Sequence, residues 1–335
     1  MATFDAAALA DFSFQSDVFQ DTLQAELVDV LNLQTSGILV NGAGIISPES
    51  GEYQSIPQYD TLSGAADQIV TNTENDTNDF GDYKMRAPWL QRNKIWGVEN
   101  LVSVVAGKDP MTEIARQLAN FWAREFQTTA INVINGCFAT ALASTHSTGT
   151  DYSGQTIGID GVLAAKQKLG DMQLELTRAI SHSKVINQAV KNSIGSYGNT
   201  QMGNDLFLSG NLPQIAGMAT WMNDSFSATG DVYPTYFSAP GQIVFAVRPW
   251  SRRDVNGQAV NSQSVDVEYE RKPNIGGGTD VLHTRASFLV HLNGMYYNSA
   301  TTNPTNVQLA TGTNWTKAAD DDKKIKIVQL KTLES

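Results

Sequence analysis

The sequence has very little cysteine and histidine. Cys137 is its single cysteine, and its histidines are His146, His182, His283 and His291. One thiol cannot form an internal disulfide, which excludes a disulfide-stapled scaffold. The sequence also has no HExxH motif and no CxxC motif, so we expect no zinc site. Structural roles are therefore predicted for all of these histidines.

Motifs for catalysis and nucleotide binding are missing as well. There is no GxSxG, so nothing indicates a hydrolase nucleophile elbow. Gly276-Gly277-Gly278 is not followed by Lys and Ser or Thr, which excludes a phosphate-binding P-loop. Residues 76–81 resemble a calcium loop, but Phe80 and Ala87 occupy ligand positions. We therefore predict no enzymatic activity, no cofactor and no metal; an enzyme with a dispersed site is an alternative of another class.

Charged residues and long apolar runs are scarce. Charged residues make up 17% of the chain, against about 25% in ordinary globular domains, and the formal net charge is −11. This acidic balance argues against nucleic-acid binding by the surface as a whole. No apolar run approaches the roughly 18 residues of a membrane span. The N-terminus lacks the basic and apolar regions of a secretory signal, so we expect synthesis in the cytosol.

The clearest predicted element is a long helix over residues 109–143. Asp109 is a good N-cap, Pro110 suits the first helical position, and the charge of Glu113 suits the helix dipole. Apolar residues then recur in steps of one, three or four, which forms one helical stripe: Ile114, Leu118, Phe121, Trp122, Phe126, Ala130, Val133, Ile134, Cys137, Phe138 and Ala141. At about 50 Å, such a helix predicts the spine of an elongated molecule.

Two segments are better suited to contacting a neighbour than to stabilising a monomer. Residues 1–35 predict an extended arm with a helix near 17–31. Residues 71–82 are polar and acidic, and β-like segments flank them at 55–59 and 83–96. This arrangement predicts a long two-stranded excursion with a polar tip, since long loops in compact domains are usually functional or disordered. The pattern indicates a subunit of an assembly.

The rest of the chain predicts a mixture of helices and strands. Helices are expected over 160–169, closed by Gly170, and over 185–190, capped by Ser183. A short helix is expected over 307–310, after Asn303-Pro304-Thr305. Strands are expected over 38–40, 174–180, 215–222, 236–247 with a break at Pro240-Gly241, 265–269, 282–297 and 325–330.

Several stretches resemble the major capsid proteins of tailed bacteriophages. The main one runs from residue 101 to 115 and continues through Phe121-Trp122-Ala123-Arg124 and Gln127 to Gly136-Cys137-Phe138, and it resembles their spine-helix region. Shorter likenesses follow in the family's order: Ser36-Gly37, Ile56-Pro57, Gly170-Asp171, residues 179–183, Thr284-Arg285, Phe288, His291, Gly294, Asn303-Pro304-Thr305, Asn314-Trp315 and residues 325–330. Together they extend from about residue 36 to 333.

This resemblance implies the α+β Hong Kong 97-type capsid fold. A peripheral domain with the spine helix and a β-layer is expected, together with an axial α/β domain, an extended hairpin loop and an N-terminal arm. The expected boundaries are 1–35 for the arm, 36–47 and 97–154 for the peripheral domain, 48–96 for the hairpin loop, 155–275 for the axial domain and 276–335 for the return strands of the peripheral domain.

The resemblance also implies a function. It predicts a major capsid (head) protein that self-assembles as pentamers and hexamers into an icosahedral shell around packaged double-stranded DNA. The protein would reside in the virion after synthesis in the host bacterial cytoplasm. A cellular nanocompartment shell of the same fold is the alternative. Only about 35 residues precede Ser36-Gly37, too few for a fused scaffold, so either a separate scaffolding protein is implied or the chain has already been processed, and Met1 favours the separate scaffold. A portal is also implied.

Contacts in the assembly are predicted at both protruding segments. The predicted contact residues are Glu74, Asp76, Asp79 and Asp82 in the acidic tip and Phe12 and Phe14 in the arm. A decoration protein is a further candidate partner of the tip. Packaged DNA would be contacted without sequence specificity, and no membrane is expected as a partner. Residues 49–83 contain no lysine, so no covalent cross-link between subunits is expected there.

Overall fold

The computed structural model describes residues 36–42, 51–60, 62, 66, 81–99, 110–192, 195–197, 213–226, 229–248, 250–253, 259–262, 265–272 and 278–334. The α helices in these ranges are α1 Pro110–Ala139, α2 Ile159–Gln167, α3 Ser183–Lys191 and α4 Asn306–Ala310. The strands are β1 Leu39–Asn41, β2 Tyr53–Tyr59, β3 Asp82–Pro88, β4 Leu90–Glu99, β5 Arg178–Ser181, β6 Gly195–Tyr197, β7 Pro213–Ile215, β8 Met218–Met222, β9 Val232–Ser238, β10 Ile243–Val247, β11 Trp250–Arg253, β12 Ala259–Ser262, β13 Val265–Lys272, β14 Thr279–Leu292, β15 Met295–Tyr297, β16 Trp315–Lys317 and β17 Ile327–Leu333.

The predicted spine helix is present as α1, which has 30 residues and a length of about 45 Å. It ends four residues earlier than predicted, because the Leu142 amide donates to the Cys137 carbonyl and so closes a wider turn. Leu142 is nevertheless fully buried, which explains why the apolar stripe continues past the end of the helix.

The spine helix packs on a sheet built around β14. Strand β4 pairs with the first ten residues of β14 along one edge, while β13 and then β10 pair along the other. Strand β1 extends the sheet by pairing in parallel with β10. The ring of Phe126 lies 4.6 Å from that of Phe288 and 5.3 Å from that of Phe245, so aromatic contacts join helix and sheet.

A hairpin of β2 and β3 covers the opposite face of this sheet. Its register runs from Tyr53 opposite Pro88 to Tyr59 opposite Asp82. Strand β4, expected to lie within the hairpin loop as far as residue 96, instead pairs with β14 from Leu90 onward. The paired part of the excursion therefore ends at Pro88.

A second sheet has the strand order β17-β9-β5-β8-β7-β6 and a separate apolar core. Helices α2 and α3 contribute Val162, Ala165, Val185, Ile186 and Ala189 to this core. The last strand was expected among the return strands of the peripheral domain. It lies in this second sheet instead, where Ile327 pairs with Ser238 and Leu333 pairs with Val232.

Three predicted strands are interrupted by local backbone geometry. Residues 282–297 were predicted as one strand, but a turn at Asn293-Gly294 separates β14 from β15. Residues 174–180 were predicted as one strand, but a 3-10 helix, Gly170–Glu175, precedes the shorter strand β5. Residues 215–222 were predicted as one strand, but Ala216 and Gly217 both have positive φ values, 48° and 77°. A tight turn at these two residues divides the stretch into the antiparallel strands β7 and β8.

The predicted helix after Asn303-Pro304-Thr305 is present as α4. Thr305 caps it, because its side-chain oxygen accepts from the Gln308 amide while the Gln308 side chain accepts from the Thr305 amide. Helix α4 lies against the spine helix at Gly136, where a Cβ would overlap the Leu309 carbonyl oxygen. The glycine thus permits the close approach of these two helices.

Candidate assembly surfaces

Among the six predicted contact residues, Asp82 is the one that lies within the described part of the chain. It begins β3 opposite Tyr59, and both side chains are exposed. The Asp60 amide donates to the Gly81 carbonyl over 3.0 Å and so extends the ladder by one step. Phe12, Phe14, Glu74, Asp76 and Asp79 lie outside the described residues.

The base of the hairpin is fixed to the body by apolar contacts. Ile56, Met85, Ala87 and Trp89 are buried in one cluster with side chains from β10 and β14 of the large sheet, namely Val244, Ala246 and Leu289. The Gly294 amide also donates to the Met85 sulfur over 2.9 Å. This half of the hairpin therefore forms part of the folded core.

Two cations lie over aromatic rings around the same base, and a third lies over a ring farther along the hairpin. The guanidinium of Arg86 lies 3.9 Å from the centroid of the Tyr53 ring, and that of Arg248 lies 4.2 Å from the Trp89 ring. The Lys324 ammonium lies 5.2 Å from the Tyr83 ring and donates to the Tyr59 carbonyl. Such contacts contribute about 0.5–2 kcal/mol each.

Burial shifts the pKa of two groups in these contacts. Desolvation lowers the pKa of Arg248 and raises the pKa of Tyr83, because it disfavours the charged form of each side chain. Sequence reasoning missed the contacts, because Arg248 and Lys324 are far from the hairpin along the chain. Their partners become neighbours only in the folded molecule.

Beyond this base the hairpin presents exposed side chains. Tyr59 is 70% exposed and Leu62 is 81% exposed. The same strands therefore have one end held by the body and another end that offers apolar and acidic groups to the surroundings. A surface of this kind is suited to contact with another protein.

A second exposed apolar surface lies on the unit built around the second sheet. Leu174 is 83% exposed, and ion pairs at Asp171 with Lys323 and at Glu175 with Lys326 flank it on both sides. The hydrogen bond from Lys323 lowers the pKa of Asp171. On the neighbouring helix α2, Ile159 and Leu163 are exposed one turn apart. The sequence marked none of these residues, since a single exposed apolar residue has no pattern.

The histidines make structural contacts. The His146 ring nitrogen Nε2 lies 2.9 Å from the Asp322 carbonyl oxygen, and burial lowers the His146 pKa. His182 caps α3 by accepting from the Lys184 amide, and His283 lies 2.8 Å from Glu270. His291 is fully buried in β14. These positions agree with the predicted structural roles.

Two structural features were sought among the described residues, a group of metal-binding side chains and a membrane-spanning helix. Within these ranges no three His, Cys, Asp or Glu side chains are grouped so that they could hold a metal ion. Nor does any helix in the same ranges combine the length and apolar character that a membrane span requires.

Comparison with known proteins gives concordant results. The family model for Gp13-like, major capsid protein 13-like proteins matches residues 105–326. The major capsid protein of Bacillus phage SPP1 is 27% identical over 297 residues, which cover 84% of this chain and 83% of that protein.

Solved capsid structures share the fold at low sequence identity. A structure from Microbacterium phage Oxtober96 has a TM-score of 0.53 and 9% identity over 87% of this chain and 88% of its own. The capsid of Ralstonia phage GP4 has a TM-score of 0.53 and 9% identity over 89% and 87%. The α+β Hong Kong 97-type fold is thereby confirmed. The chain belongs to the Gp13-like family of major capsid proteins, and its function is to form the shell of a phage capsid.

Proposed function

We propose that this capsid protein assembles as pentamers and hexamers into an icosahedral shell that encloses packaged double-stranded DNA. The observation that carries the proposal is the hairpin, whose base is buried in its own subunit while Tyr59 and Leu62 remain exposed. A monomer gains little stability from such a protrusion, whereas a neighbour could cover it. Many weak contacts of one kind hold a shell together, because several neighbours grip each subunit at once.

Within this shell we assign the spine helix and the sheet around β14 to the peripheral domain. The second sheet, with α2 and α3, forms the axial domain, to which β17 now belongs. Residues 1–35 remain the N-terminal arm. The hairpin loop is shortened to residues 48–88, since β4 is part of the peripheral sheet.

We assign the acidic tip of the hairpin to contact with a basic or amide-rich patch on a neighbour or on a decoration protein. The tip residues are Glu74, Asp76, Asp79 and Asp82, and Phe12 and Phe14 are the corresponding contacts in the arm. Deleting residues 70–82 should leave the subunit folded, because the core under the hairpin base is untouched, and should prevent stable shells.

A charge-neutral variant sharpens this test. Changing the four tip acids to Gln or Asn keeps the length of the loop, and it should weaken assembly in low salt more than in high salt. Four matched changes at exposed acids elsewhere, Asp151, Asp160, Asp231 and Asp321, serve as the control. Normal particles from both tip variants would refute the assignment.

The other partners follow from this function. We propose that a separate scaffolding protein guides assembly in the bacterial cytoplasm, that a portal occupies one vertex, and that DNA meets the inner face through screened, sequence-independent contacts. The role is structural and includes no catalytic step. An SDS gel of purified particles should show only monomer, since residues 49–83 contain no lysine for a cross-link.

The direct test is sedimentation of the purified protein, with electron microscopy of the fastest fraction. Closed particles of one diameter support the proposal. Monomers that persist on co-expression with every candidate scaffold would overturn it. The nanocompartment alternative is not favoured, because the relatives found are phage capsid proteins; the nucleic acid content of mature particles decides between the two.

A further inference from the structure

The chain carries its charge very unevenly. Residues 1–83 contain 14 Asp and Glu and not one Lys, Arg or His. The remaining residues, 84–335, contain 20 acidic and 23 basic side chains. The formal charge is therefore −14 before Lys84 and +3 after it, and the N-terminal segment is complementary to any basic surface on the rest of the molecule.

A cavity of about 370 Å³ lies between β4 and the N-terminal half of the spine helix. The residues that line it are Trp96, Gln117, Leu118, Asn120, Phe121 and Arg124. The rings of Trp96 and Phe121 meet edge to face with centroids 5.3 Å apart, and Leu118 is buried. One wall of the cavity is therefore aromatic and apolar.

One cation in the cavity wall and a second beside the wall residue Trp96 have no carboxylate partner within the described part of the chain. Arg124 lines the cavity and is exposed, and the Lys94 ammonium lies 5.6 Å from the Trp96 ring centroid. By contrast, Lys317, Lys323, Lys324 and Lys326 each lie within 2.8 Å of a carboxylate oxygen. The cavity therefore carries positive charge with no ion-pair partner among the described residues.

The cavity wall also contains a hydrogen-bond donor that is not used. The indole nitrogen Nε1 of Trp96 is buried and has no acceptor among the described residues. A buried donor without an acceptor is unfavourable, so a carboxylate or carbonyl oxygen that reached this nitrogen would relieve that cost. Cations, an aromatic wall and a free donor together describe a site for an acidic segment with aromatic anchors.

We propose that this cavity binds residues 4–19 of a second copy of the chain. This segment has Phe4, Phe12, Phe14 and Phe19 as apolar anchors, and its charged residues are all acidic: Asp5, Asp11 and Asp17. The phenylalanines suit the wall of Trp96 and Phe121, and the carboxylates suit Lys94 and Arg124. The inference rests on the proposed function, since it is a contact between subunits of the shell.

Photo-cross-linking in assembled particles tests the contact. A benzoylphenylalanine replaces Asn120, which is exposed at the cavity, and particles are assembled from an equal mixture of light and heavy-isotope chains. After digestion at aspartate, cross-links from position 120 should reach residues 4–19, and about half should join a light to a heavy peptide. The same probe at the distant, exposed Leu174 is the control and should not reach this segment.

Each other outcome counts against the inference. Cross-links to residues 4–19 that are always light to light or heavy to heavy would place the arm in its own subunit. Cross-links to DNA, to a scaffolding protein or to no partner would assign the cavity to another occupant or to none. Particles that form normally in these cases leave the proposed shell function standing, whereas failure of the unmodified chain to form particles refutes that function instead.

Charge reversal provides an independent test. The pair Lys94→Glu and Arg124→Glu should reduce particle yield at least tenfold, and so should Asp5→Lys, Asp11→Lys and Asp17→Lys. Mixing the two defective proteins should restore particles, because each arm then meets a groove of opposite charge on a different chain. A mixture that stays defective, or parent variants that assemble normally, would overturn the contact.

Discussion

The two halves of the spine helix differ in how closely the rest of the subunit packs against them. Toward the C-terminal end, Gly136 lies so close to α4 that the Trp315 indole nitrogen, which donates to the Leu309 carbonyl, fills the space beside it. Toward the N-terminal end, the helix and β4 leave a cavity whose cation, Arg124, has no carboxylate partner among the described residues. The subunit thus completes one end of its longest element by itself and leaves the other end available to a partner.

The largest effect on folding is expected from Gly136→Ala. The added methyl would overlap the Leu309 carbonyl oxygen and press on Trp315, so α4 would have to move. Overpacking of a close contact typically costs about 1–3 kcal/mol, and the backbone atom involved places this variant at the upper end. Chemical denaturation should show a clearly lower free energy of unfolding.

The matched control for this variant is Thr128→Ala, an exposed change on the same helix. It should leave the free energy of unfolding within about 0.5 kcal/mol of the parent value. Equal denaturation midpoints for the two variants would mean that the C-terminal half of the spine helix tolerates a wider separation from α4.

His291 makes the stability of the folded chain depend on pH. Complete burial lowers the pKa of His291 to about 4, so the ring is neutral in the folded chain. Between pH 6.5 and 4 the unfolded chain binds a proton here and the folded chain does not, so stability falls as the pH is lowered through this window. The contribution of neutral His291 to the free energy of unfolding is essentially complete above pH 6.5, and roughly 3 kcal/mol of it is lost by pH 4.

Denaturation of the parent and of His291→Gln at several pH values measures this effect. The variant keeps the titration of every carboxylate, so the difference between the two pH profiles isolates the histidine. The parent should lose more stability than the variant on going from pH 7 to pH 4. Parallel profiles would show that His291 does not control the acid response.

A smaller effect is expected from Tyr236→Phe. The Tyr236 hydroxyl donates to the Asn135 side-chain oxygen over 3.1 Å and accepts from the Gln329 amide over 2.9 Å, which joins the spine helix to β9 and β17. Removing it leaves two polar groups without their partner and should cost about 1–2 kcal/mol. Thermal unfolding measures the loss; an unchanged midpoint would mean that these two hydrogen bonds do not stabilise the fold.

The sequence predicted elements with a strong local signal and missed pairings between distant segments. The spine helix was predicted to within a few residues, because its cap and stripe are local features. The partner of β17 was not, since strand pairing is set by the tertiary fold and 327–333 is far from 232–238 along the chain. The cations that hold the hairpin base, such as Arg248 on Trp89, were invisible for the same reason.

At the candidate assembly surfaces, too, the sequence predicted local features and missed long-range contacts. Composition identified the acidic tip, because residues 71–82 are more polar and acidic than the segments around them. The cavity beside Trp96 needed coordinates, since β4 meets α1 there only in the folded molecule and neither segment is unusual in sequence. Exposed single residues such as Leu174 gave no pattern at all.

The smallest effect on folding should come from Lys94→Gln with Arg124→Gln at the open end of the helix. Neither cation has a carboxylate partner in the described part of the chain, so removing both charges should change the free energy of unfolding by less than about 0.5 kcal/mol. The particle yield of the double variant should nevertheless fall below that of the parent chain. Added salt should reduce this difference in yield, because it screens the attraction that the parent has and the variant lacks. Denaturation and sedimentation of one preparation measure the two effects side by side. If the double variant loses as much stability as Tyr236→Phe and still forms normal particles, then Lys94 and Arg124 stabilise their own subunit and do not contact a neighbour.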